Sequence, residues 1–104
     1  MLDISNAKVV RVIFLAREYG PESRHLRDYI SGLNEDEQTS LVAIMWVGRE
    51  SFSADEVAEA IETAQAEKSA PTEDYLSGIP ELPDYLEAGL EALGIDVTDA
   101  EDRM

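Results

Sequence analysis

From Val9 to Ala16 the chain reads "VVRVIFLA", apolar at every position but Arg11. Ser5 stands just ahead as an N-cap, Ile4 is spaced to staple onto Val9, and Gly20-Pro21 closes the stretch. A helix sheltered by its neighbours has this form, apolar all round except for a strip at Lys8, Arg11 and Glu18. The competing reading is a strand over residues 8–16, because Val9, Val10, Val12 and Ile13 are β-branched. The cap, the length and the Gly-Pro stop favour the helix.

Later stretches carry the 3.6-residue period more plainly. Leu26, Ile30 and Leu33 share one face of a helix predicted over 22–32, with Arg24, Arg27 and Asp28 opposite. Asn34 and Glu37 have capping-box spacing, with Glu35 and Asp36 at the positive end of the helix dipole. The helix they start contains "LVAIMWV", which predicts a central position and places Trp46 in the core. Gly48 fits the left-handed residue that ends a helix, and Arg49 is positioned to neutralise the last carbonyls. Ser53 and Glu56 repeat the capping-box spacing, with Phe52 and Val57 as the staple, so Gly48 to Phe52 reads as a corner between helices. The fourth helix, about 54–67, turns Val57, Ile61 and Ala64 inward and Asp55, Glu59 and Glu62 outward. Thr72 caps a short helix with Tyr75 and Leu76 that stops at Gly78 and Pro80. In "ELPDYLEAGLEALG", Leu82, Leu86, Leu90 and Leu93 face the core and Asp84, Glu87 and Glu91 face water, with Pro83 in the first turn. Gly89 breaks this pattern in mid-helix, where another helix approaching closely would account for it. The pattern predicts an all-α fold, a compact bundle of five to six helices in one domain over 1–95, with 96–104 a frayed acidic tail.

Composition adds one large feature. The 104 residues carry a net charge of −15 with a pI near 4.1, and 44% of them are hydrophobic. Residues 1–33 hold five basic and four acidic residues, whereas 34–104 hold three basic and nineteen acidic. Such a field repels nucleic acid and anionic membranes and attracts a basic partner, while also serving plain solubility. No apolar run approaches the roughly 20 residues of a membrane span, and "MLDISNAK" lacks the layout of a signal peptide, so a cytoplasmic protein is expected. The absence of cysteine rules out disulfides and thiol chemistry.

The segments "LNEDEQTSLVAIMWVGRESFSADEVAEAI" and "YLSGIPELPDYLEAGLEALG" resemble a bacterial, mainly proteobacterial, family of small domains of unknown function, domain of unknown function family 3775. The likeness runs from about Val9 to Gly94. It departs at "YGPES", where related chains carry a longer acidic, proline-rich insertion. The resemblance supports a small independent domain and implies no activity, cofactor or catalytic residue.

Direct signs of chemistry are few. His25, the only histidine, follows Glu22 by three positions. A di-iron bundle needs a second Glu-x-x-His pair, and there is none. No strained Gly-x-Ser-x-Gly turn, phosphate loop, calcium loop or basic stripe with aromatics appears. The expectation is therefore no catalytic residue, no metal and no cofactor. The sequence points to a protein-interaction or regulatory module, self-associating as a homodimer or larger homo-oligomer. Its interaction candidates are Asp55, Glu59, Glu62, Asp84, Glu87 and Glu91, and its structural candidates are Trp46, Gly48, Ser53 and Gly89. The alternatives are an acidic mimic that covers a basic nucleic-acid-binding surface and a small enzyme using a carboxylate pair.

Overall fold

Helix α1 (Asn6–Tyr19) begins where Ser5 Oγ accepts a hydrogen bond from Lys8 N at 3.2 Å, and it stops at Gly20 with φ 93°. The computed structural model describes residues 2–95, so the predicted tail at 96–104 lies outside the described residues. Helix α2 (Arg24–Ser31) is capped by Ser23, one residue inside the predicted start. Helix α3 (Glu35–Gly48) opens on a reciprocal capping box: Glu37 N donates to Asn34 Oδ1 at 2.8 Å and Asn34 N donates to Glu37 Oε1 at 3.0 Å. A 3₁₀ turn (Ala54–Glu56) leads into α4 (Val57–Ala66), followed by α5 (Thr72–Ser77) and α6 (Leu82–Ala92). All six are α-helices, and no strand occurs among the described residues, which removes the strand reading of 8–16.

Helix α3 is central, packing against α6, α4 and α5, while α1 covers α6 and α2 and α2 rests on α5. Ile13, Leu26, Ile30, Leu41, Ile44, Met45, Leu76, Leu82, Leu86 and Leu90 form the fully enclosed core. Two polar side chains tie it together from inside. Gln38, buried on α3, donates from Nε2 to Ile30 O at 2.9 Å and to Leu33 O at 3.0 Å, which closes the C-terminal end of α2. Ser40 Oγ accepts from Asp3 N at 2.9 Å and pins the segment ahead of α1.

Helices α3 and α6 meet backbone to backbone. A methyl group placed on Gly48 would lie 1.7 Å from Tyr85 O, and one on Gly89 would lie 2.2 Å from Ile44 O. This corrects the predicted role of Gly48. It is the last helical residue of α3, and the left-handed position in the corner is taken by Glu50, with φ 69°. Glycine stands at 48 because the other helix leaves no room for a side chain.

Five further expectations are corrected. Trp46 is half-buried at the edge of the core, since its indole lies over the corner and reaches α5. On α4, Ala60 and Ala64 are the buried residues and Val57 and Ile61 are half-exposed, because small side chains let this helix settle on α3. Thr72 is the first residue of α5, behind Pro71, and is buried, while Leu93 past the end of α6 is only half-buried. Phe14, inside the apolar run of α1, is 47% exposed, because α6 and α2 leave that side of the helix uncovered.

Candidate interaction surface and the Trp46 cleft

The two predicted acidic rows have different surroundings. Asp55, Glu59 and Glu62 are all exposed along the outward side of the 3₁₀ turn and α4, and none forms an ion pair among the described residues. Ser53 and Glu56 set the start of this element: Glu56 Oε1 accepts from Ser53 N at 2.8 Å and from Ser53 Oγ at 3.2 Å. In α6, Asp84 and Glu87 are held by Arg17 of α1, at 3.2 Å to Asp84 Oδ1 and at 3.2 and 3.3 Å to the two oxygens of Glu87. Those contacts keep the Arg17 guanidinium firmly protonated, Glu87 being the stronger partner. Glu91 is exposed without an ion pair among the described residues. The six candidates thus split into an open row on α4 and a row on α6 in which one cation, Arg17, pairs with two of the three carboxylates.

Other charges serve the fold. Lys8 pairs with Glu37, whose carboxyl is held below the usual range by that ammonium and then by Asn34 N–H. Arg27 pairs with Asp74 and donates to Ser77 Oγ at 2.8 Å, joining α2 to α5. His25 is exposed, with its ring 4.2 Å from that of Tyr19. Among the described residues no three His, Asp or Glu side chains gather closely enough to hold a metal ion, and no helix is long and apolar enough to cross a membrane.

On the other flank of α4 lies a cleft of about 180 Å³ between α3, the end of α4 and the loop into α5. Thr39, Val42 and Trp46, one stripe of α3, form one wall, with Ala64, Thr72 and Tyr75 opposite and Lys68 at the loop. Trp46 Nε1 donates to Tyr75 Oη at 3.0 Å, and its ring stacks on Phe52 with centroids 5.7 Å apart. This cleft is not legible in the hydrophobic pattern of the sequence, because residues 39, 42 and 46 carry ordinary core spacing. One signal pointed to it: between residues 50 and 102 the chain has sixteen acidic side chains and a single basic one, Lys68.

The family described as Protein of unknown function (DUF3775) matches the chain over residues 23–95. The chain belongs to this family. The DUF3775 match starts at Ser23, the N-cap of α2, and takes in every later helix, the α3–α6 crossing, the α4 row and the cleft. Helix α1 and the exposed Phe14 fall outside it. No curated protein and no solved structure matches the chain.

Proposed function

We propose that this DUF3775 chain is a protein-interaction module that takes a basic partner on the outward side of α4. The observation that carries the reading is the contrast between the rows. Asp55, Glu59 and Glu62 stand in line without a counter-charge among the described residues, whereas Asp84 and Glu87 share one in Arg17. An uncompensated row costs self-repulsion that a cationic surface would relieve on docking. The partner class includes a nucleic-acid-binding protein whose basic face the row would cover, so nucleic acid would then compete for that partner.

The test compares two double variants of equal charge change in affinity capture from the native host. Glu59→Lys with Glu62→Lys reverses the α4 row, and Glu81→Lys with Glu91→Lys changes exposed carboxylates elsewhere. The reading requires the partner to be lost, chiefly through slower association, with the first pair only. Equal loss with both would reduce the effect to net charge.

Self-association is a second reading, motivated by Phe14, which is 47% exposed within the otherwise buried apolar run of α1. Light scattering after size exclusion should show a homodimer that Phe14→Ser dissociates; a monomer at all concentrations would end this reading.

A further inference from the structure

We propose that the cleft beside Trp46 is a binding site for a small apolar carboxylate, with the ligand's ring against the indole and its carboxylate on Lys68. The site lies away from the α4 row, and the proposal does not depend on partner docking.

Three observations converge on it. The first is size and lining: about 180 Å³, walled by Val42, Ala64 and the Trp46 ring, is room for one ring with a short polar arm. An engineered apolar cavity of about 150 Å³ already takes benzene. The second is hydrogen-bonding capacity. Thr72 is 5% exposed and lines the cleft, and a threonine hydroxyl can donate one hydrogen bond. Tyr75 Oη accepts from Trp46 Nε1, which leaves the phenol proton free to donate. The third is charge. Lys68, alone among the acidic side chains of residues 50–102, stands at this cleft and forms no ion pair among the described residues. A lone ammonium beside donor hydroxyls suits one carboxylate, and the neighbouring Glu67 disfavours ligands of higher negative charge.

Trp46 is the only tryptophan, so its fluorescence reports on the cleft directly. The full chain is titrated with three probes that share a phenyl ring: phenylacetate, 2-phenylethanol and phenethylamine. Phenylacetate should give a saturable change and bind most tightly, and amide NMR shifts should gather at Thr39, Lys68 and Thr72. Lys68→Met, a change at an exposed position, should weaken phenylacetate about fivefold, the upper range for an exposed ion pair, and leave 2-phenylethanol unchanged. Equal binding of all three probes, preference for phenethylamine, shifts centred elsewhere, or no saturable response to any probe would overturn the assignment.

Discussion

Gly48 and Gly89 show how much a single hydrogen atom can decide. Alanine at 89 gains about 1 kcal/mol in helix propensity. Yet its methyl would sit 2.2 Å from Ile44 O, a backbone atom that no rotamer change can move. Overpacking of this kind costs about 1–3 kcal/mol and sometimes more, so Gly89→Ala and Gly48→Ala should each lower the urea midpoint, with 48 the more severe. A midpoint above that of the parent for either variant would refute the backbone contact. Glu37 gives a second prediction. Its carboxyl is depressed by Lys8 and then by Asn34 N–H, so its contribution to stability is complete above the ordinary glutamate value of about 4.3 and is lost as pH falls through the lower folded value. Thermal unfolding followed from pH 7 into acid should therefore be less pH-sensitive in Glu37→Gln than in the parent. The caps at Ser5 and Asn34 were legible because a cap is a local bond over three residues. The role of Gly48 was not, because its cause is Tyr85, thirty-seven positions away in the chain.

At the scale of elements, α1 is the one to test, since it lies outside the matched stretch yet contributes Val9, Val10, Val12, Ile13, Leu15 and Ala16 to the core. Burying one large aliphatic side chain is worth about 1.5–3 kcal/mol. Removing several exceeds much of a domain's typical net stability of about 5–15 kcal/mol. A chain beginning at Pro21 should lose its cooperative thermal transition while keeping helical signal, and a sharp transition near that of the parent would show that α2–α6 stand alone. Between α2 and α3 the link is Gln38. Gln38→Leu removes the donor shared by Ile30 O and Leu33 O and should cost about 1–3 kcal/mol in denaturant melts. The helical period exposed all six elements to sequence reading, because each buries one side or is wrapped by others. On α4 it placed Ala64 inward, as found, but gave Val57 and Ile61 the inward places and missed Ala60: alanine carries little hydrophobic signal, although its small size is what lets two helices close.

For the molecule as a whole, the net charge of −15 is the dominant field. Among the described residues the ion pairs centre on cations near the N-terminal end, Lys8, Arg17, Arg24 and Arg27, so many carboxylates between Gly32 and Ile95 have no ion pair there. Raising salt to 0.1 M, where the Debye length is about 10 Å, should increase the melting temperature, and reversing Glu59 and Glu62 to lysine should shrink that increase. A melting temperature that falls with salt would mean that the pairs held by Arg17 and Lys8 outweigh the repulsion. The acidity was plain in composition. Which row stays open was not, because it depends on Arg17 lying opposite Asp84 and Glu87, a meeting made by α1 folding onto α6.

The crossing of α3 and α6 also bears on how such a chain can change by descent. Each glycine meets the other helix within one turn of its counterpart, so the first side chain to appear at either position forces the axes apart for both. The second then enters a gap already opened. The loss from both alanines together should fall short of the sum of the single losses, a positive epistasis of the kind expected for sites that share one contact. A lineage that survives the first replacement meets a lower barrier to the second, and reversion at one site alone no longer restores the original spacing.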